Sequence, residues 1–269
     1  MIKIRPFLKW AGGKYRCLDM ILASLPKGDR LIEPFTGSGV VFLNTDFPNY
    51  LLAEGNADLV NLYLCLQKEG PSFIESCEGF FSYETNQEKN YYDLRKKFNE
   101  STDKRERSLI FLYLNRHGYN GLCRYNQRGG YNVPFGRYKK PYFPLNELHA
   151  FHLKTQTIEI IESDFKDTFL RAKKGDIIYC DPPYAPLSKT SNFSSYTSKG
   201  FGEKEQIILV NLAKEAASLG ATVIISNHDT PFTRHHYKGS TIRSFPVKRS
   251  ISCNTHSRVD VRELIAIFR

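Results

Sequence analysis

The sequence predicts an α/β fold interrupted by a basic, aromatic-rich insertion, and three observations carry that expectation. Residues 1–60 alternate strand-like apolar runs with glycine-bearing turns, the alternation stops across 61–145, and it resumes over 146–269. Residues 107–146 contain no Asp or Glu, although 28 acids in 269 residues would put roughly four in any forty-residue window. Arginines and lysines fill that window together with many tyrosines and phenylalanines.

Taken in order, RLIEPF reads as a first strand, TGSG as its turn, and VVFLN as the opening of a helix. YLLAE is a second strand ending on Glu54. A helical stretch follows around Leu62, Leu64 and Leu66, then the charged NYYDLRKKFNE and the apolar RSLIFLYLN. YNGLCRYNQRGGYNVPFGRY places Arg128-Gly129-Gly130 between two polar-aromatic arms and predicts a β-hairpin near 118–139. Beyond it TIEIIES, DIIYCDPPY and ATVIISNHD read as strands, EKEQIILVNLAKEAASLG as a helix, and VRELIAIF as a last strand.

Composition narrows the function classes. No apolar run reaches the eighteen or so residues of a membrane span, and MIKIRPFLKW lacks a signal-peptide core, so a cytosolic protein with no membrane partner is expected. Cys17, Cys65, Cys77, Cys123, Cys180 and Cys253 are scattered with no CxxC pair, which predicts reduced thiols and no metal site. His235 and His236 have no acidic or cysteine neighbours to make them metal ligands. A net charge of +10 suggests a polyanionic partner. Its cations Arg107, Arg116, Arg124, Arg128, Arg137, Lys139 and Lys140 lie among Tyr113, Tyr119, Tyr125, Tyr131, Phe135, Tyr138, Tyr142 and Phe143. Cations for phosphates and rings for stacking or wedging are a nucleic-acid reader's equipment.

The chemistry concentrates at strand ends. In DIIYCDPPY the apolar run stops at Asp181, because Pro182 cannot donate to a sheet ladder and Pro183 holds Pro182 extended. Asp181 and Tyr184 therefore stand beyond the carboxyl end of a strand, where open α/β sheets bind ligands. AGGK, Ala11 to Lys14, fails the phosphate-loop spacing, and Tyr15 stands where that loop needs Ser or Thr. EPFTGSG, Glu33 to Gly39, is a strand, glycine turn and helix that lets backbone approach a ligand. About twenty residues later Glu54 has the position of an acid that binds two ribose hydroxyls. A nucleoside without a triphosphate fits this set.

FLKWAGGK, EPFTGSGVVFLN, FLYLNRHGYNGLCRYN, NVPFGRYKKPYF, YCDPPYAPLS and ISNHD, in this order over nearly the whole chain, resemble the Dam-type DNA adenine methyltransferases. The resemblance implies a Rossmann-like methyltransferase mixed sheet, residues 1–60 and 146–269, with an inserted helical and β-hairpin DNA-recognition domain, residues 61–145. It implies S-adenosylmethionine as methyl donor, S-adenosylhomocysteine as product, adenine N6 in double-stranded GATC as acceptor, and no obligate protein partner. Trp10, Gly12, Lys14, Phe35, Gly37, Glu54, Asp164, Phe165 and Asp181 would then line the donor site. Glu54 departs from the Asp often found there by one methylene, and Thr36 and Ser38 are small variations within the glycine loop.

The same resemblance makes Asp181, Pro182, Pro183 and Tyr184 the catalytic tetrad. The amino nitrogen of adenine is a poor nucleophile. If Asp181 and the Pro182 carbonyl accept its two hydrogens, it can pyramidalise toward the methyl while Tyr184 stacks on a flipped base. Arg124, Leu122 and Pro134 would meet base edges, Lys9 the first guanine, Tyr119 and Asn120 the opened stack, and Arg95, Asn126, Asn132 and Arg137 the phosphates. Two other readings stand beside this one: methyl transfer to an amino group of RNA, cytosine or a protein glutamine, and DNA binding without catalysis. His228 is as well suited to a structural role as to the site.

Overall fold

The computed structural model describes residues 3–186, 201–247 and 261–269. The described strands form a seven-stranded mixed sheet in the order β3-β2-β1-β4-β5-β7-β6. These are β1 (Arg30–Glu33), β2 (Asn49–Glu54), β3 (Glu159–Glu162), β4 (Ile177–Cys180), β5 (Thr222–His228), β6 (Thr241–Val247) and β7 (Val261–Phe268). The first five pair in parallel, and β7 runs antiparallel between β5 and β6. A parallel strand covered on both faces needs a continuous apolar run. Ile177 to Cys180 supply one, and all of them are buried.

The helices follow in chain order: α1 (Leu18–Leu22), α2 (Val40–Leu43), α3 (Ala57–Glu69), α4 (Pro71–Glu78), α5 (Glu88–Glu100), α6 (Lys104–His117), α7 (Leu145–Thr155), α8 (Phe165–Phe169), α9 (Glu203–Ser218) and α10 (Pro231–His236). Asn56 and Asp103 start α3 and α6 by accepting backbone N–H bonds of the first turn. Helix α6 is buried all round from Ser108 to His117, which is why RSLIFLYLN carries no polar stripe. One apolar cluster runs from Phe7 and Leu31 through Leu62 and Phe111 to Tyr131, while α8 and α9 cover the other sheet face.

Two expectations are corrected. The 118–139 segment folds back on itself without regular strands, holding only the isolated bridges Gly118 to Phe135 and Tyr125 to Tyr131. Its turn sits at Asn126 to Gly129, closed by Gly129 N–H on the Asn126 carbonyl at 2.9 Å, and the Asn126 side chain accepts from Arg128 and Gly130. Backbone bonds from Asn132 N–H to the Arg124 carbonyl at 3.0 Å and from Asn126 N–H to the Gly130 carbonyl at 2.8 Å join the arms beside these side-chain bonds. The second correction concerns the basic window. Arg107 is paired with Asp58 at 2.7 Å and Arg116 is buried against the carbonyls of Tyr142 and Phe7, so neither offers its charge to a ligand. Tyr113 and Tyr131 are core residues, and cannot stack on bases. Strand β6 and helices α7, α8 and α10 carry no motif that announced them; Cys253 and the Leu187-Ser188 end of YCDPPYAPLS lie outside the described residues.

Candidate active site

Because β1 to β5 are parallel, Glu33, Glu54, Asp164, Asp181 and His228 all emerge at one edge of the sheet. Asp181 follows β4 directly. Lys14 Nζ lies 3.0 Å from its Oδ1, and Ser226 Oγ on β5 donates to the same oxygen at 3.0 Å. The Tyr179 hydroxyl lies 3.0 Å from Ser226 Oγ and can supply a hydrogen in turn. Burial pushes the Asp181 carboxyl above its ordinary range, and Lys14 and Ser226 offset part of that rise. Burial opposes the Lys14 charge, yet Asp181 and Glu263 outweigh it and raise its pKa. Each charge therefore stabilises the other across the 3.0 Å contact.

Tyr184 is fixed from three sides. Its hydroxyl donates to Glu263 Oε2 at 3.1 Å, its ring meets His228 edge-on at 4.7 Å, and Lys14 Nζ sits 4.4 Å from the ring centre. His228 thus belongs to the site as a packing partner, with Nδ1 2.7 Å from the Ala185 carbonyl oxygen.

The glycine turn and the first loop pack on each other. Gly37 has φ +48, and a Cβ there would lie 2.9 Å from Trp10 Nε1, so the indole needs a glycine beneath it. Gly37 N–H donates to Glu54 Oε2 at 3.0 Å and Asn56 N–H to Oε1 at 3.2 Å. Two backbone amides therefore orient the acid and leave each oxygen a further acceptor position. Burial raises the Glu54 pKa against those amides. Phe35 stacks on Phe165 at 5.4 Å, and Phe201 closes the cluster at 5.6 Å from Phe35. Asp164 is exposed and caps α8 through Lys166 N–H at 2.9 Å. Gly12 offers its carbonyl to Lys14 Nζ at 2.6 Å.

Most of the expected DNA-reading residues lie between residues 95 and 137 of the chain. Arg124 is exposed, and its Nε donates to Asn132 Oδ1 at 2.7 Å. Asn132 thereby tethers the guanidinium. Tyr119 and Pro134 are exposed and joined by Tyr119 N–H on the Pro134 carbonyl at 2.9 Å, with half-buried Leu122 nearby in the chain. Asn120 adopts φ 53, and its N–H donates to the Tyr138 hydroxyl at 2.9 Å. Lys9 packs onto this group: its Nζ lies 3.9 Å from the Tyr138 ring centre and its backbone is held both ways by Asn115. Gly121 makes room for it, since a Cβ there would fall 2.2 Å from Lys9 Cβ. Burial, aided by Arg116, lowers the Lys9 pKa to about 8. Arg95 is turned onto the Val133 carbonyl at 2.9 Å, and exposed Arg137 lies 3.7 Å from Glu88.

Sequence reasoning did not single out Ser226, Glu263, Phe201 or Tyr138 for these roles. Glu263 left one signal, an acid inside the apolar run VRELIAIF.

An acid held beside a proline pair, an aromatic cluster and an acid-tipped second strand thus stand at one edge of the sheet. A family model described as D12 class N6 adenine-specific DNA methyltransferase matches residues 10–251. The DNA adenine methylase of Vibrio cholerae is 51% identical, covering all of this chain and 97% of its own. Those of Escherichia coli K12 and Serratia marcescens are each 48% identical, covering all of this chain and 97% and 100% of theirs. The chain belongs to the D12 class of N6 adenine-specific DNA methyltransferases.

Proposed function

We propose that this DNA adenine methyltransferase acts on the adenine of GATC in duplex DNA, taking the base out of the helix and transferring a methyl group in line from S-adenosylmethionine. When bound, S-adenosylmethionine supplies an electrophilic sulfonium methyl. The observation that carries the reading is the Asp181 carboxylate, fixed by Lys14 and Ser226 immediately before the Pro182-Pro183 pair. With that carboxylate and the Pro182 carbonyl accepting the two amino hydrogens, the adenine nitrogen gains a directed lone pair. Tyr184 then packs against the base. Opening the pair costs roughly a few kcal/mol, which exposed Tyr119 with Asn120 would offset by filling the stack.

The donor site fits its ligand on chemical grounds. The Phe35 and Phe165 rings suit a purine, Glu54 keeps acceptor positions for ribose hydroxyls, and Asp164 stands at the rim. Trp10, Gly12, Lys14 and Gly37 would hold the amino-acid portion, and Asp181 adds negative charge near a cationic sulfur.

Residues 61–145 act here as the target-recognition unit on a catalytic unit of 1–60 and 146–269. Arg124 is the guanine reader, Leu122 and Pro134 suit a thymine methyl, and Lys9 takes the first guanine. Arg95, Arg137, Asn126 and Asn132 serve the phosphate side. A chromosomal substrate places the enzyme in the cytosol, and the reaction needs no protein partner.

Labelled S-adenosylmethionine with two duplexes tests the reading, one carrying GATC and the other the same site already N6-methylated on both strands. Label on the first duplex alone is the expected result. Label on neither, or equally on both, overturns the assignment.

A further inference from the structure

We propose that Gln206 and Asn227 are positioning residues for methyl transfer, fixing the backbone after Asp181 and Pro182 through a closed ring of hydrogen bonds. Both side chains are 0% exposed. Gln206 Nε2, from α9, donates to the Pro183 carbonyl at 2.7 Å. Asn227 Nδ2, from β5, donates to Gln206 Oε1 at 3.0 Å, and Ala185 N–H donates to Asn227 Oδ1 at 2.9 Å. The ring closes through Pro183, Tyr184 and Ala185.

The direction of every bond is set by chemistry. A carbonyl must accept, Ala185 N–H must donate, and so each amide can face only one way. Asn227 Nδ2 also donates to the buried Tyr237 hydroxyl at 2.9 Å, which ties the ring to the core. Prolines at 182 and 183 cannot donate to a ladder, so the chain beyond β4 has lost the sheet's own means of alignment. The two amides replace it. None of the ring's bonds reaches the side chain of Asp181 or Tyr184; the pair acts through the backbone that aims the Pro182 carbonyl and the Tyr184 ring. The inference rests on the reading of Asp181 and Pro182 as acceptors of the adenine amino hydrogens.

Gln206→Met keeps the length and removes both bonds. The expected result is a kcat lower by about 100-fold, the scale of a misplaced reacting group, with KM for duplex and donor close to wild type. Gln206→Glu supplies a signature that simple loss of stability does not produce. Its ionised form has no hydrogen for the Pro183 carbonyl, whereas its protonated form donates there and still accepts from Asn227. Burial raises a glutamic acid's pKa, so the ratio of variant to wild-type kcat climbs as pH falls. If Gln206→Met fails to fold, that ratio alone decides. A wild-type kcat in Gln206→Met, or a Gln206→Glu ratio that stays low and flat with pH, overturns the proposal. Asp181→Ala, run alongside, separates the two levels. An inert Asp181→Ala with a fast Gln206→Met removes only this inference; a fast Asp181→Ala removes the underlying reading.

Discussion

Lys14 and Asp181 set each other's charge, and the consequence is a pH profile. Burial lifts Asp181 above the ordinary carboxylate value of about 3.9, and Lys14 holds it back down. Since the ionised carboxylate is the proposed acceptor, single-turnover rate at saturating donor is expected to fall as pH drops through the raised pKa. In Lys14→Met that acid limb moves to higher pH, because the restraining cation has gone. An unmoved limb contradicts the pairing. Glu33 gives a second test. It is 2% exposed with Oε1 unpartnered, and burial pushes its pKa up to about 8, against Phe42 N–H. The folded chain keeps the proton while the unfolded chain loses it above about 4.5, so stability declines as pH rises from there to about 8. At ~1.4 kcal/mol per unit the decline reaches several kcal/mol. Glu33→Gln flattens it, which urea midpoints across that range will show.

At the scale of elements, the proposed reading puts one base contact on a tethered arginine in the segment after α6. Arg124→Ala is expected to cost about 1–3 kcal/mol of discrimination at one base of the site, and Asn132→Ala part of that, because the guanidinium loses its anchor. Comparing kcat/KM for GATC and singly altered duplexes measures both; equal losses on every duplex would assign Arg124 to phosphate. Strands β1, β2, β4, β5 and β7 were legible because buried parallel or central strands write themselves as apolar runs. Strand β6 was not, since TIRSFPV lies at the sheet edge, alternates polar residues and contains Pro246. The rings of the insertion misled for another reason. Composition says that Tyr113 and Tyr131 are there, and only packing says that they point into the core. Asp181 and Tyr184 were readable beyond a strand end, but Ser226 and Glu263 join them from strands far along the chain. A pairing across the sheet leaves no local pattern.

For the whole molecule the net charge is +10, and two of its cations are turned inward, Arg107 onto Asp58 and Arg116 onto the Phe7 carbonyl. Arg137, Lys139 and Lys140 are exposed. Duplex affinity should fall linearly with the logarithm of salt, and neutralising one phosphate-facing cation should reduce that slope by about 1 without changing base preference. Titrations of the Arg137→Ala and Lys139→Ala variants at several salt concentrations check it. The proposed reading assigns affinity and chemistry to different parts of the fold, with Asp181 on the chemical side. The most direct measurement is the single-turnover methylation rate of Asp181→Asn at saturating donor and GATC duplex, with duplex Kd measured beside it. A rate lower by about 100- to 1,000-fold at unchanged Kd is the predicted result. A near wild-type rate, or a loss fully matched by weaker DNA binding, would contradict the assignment.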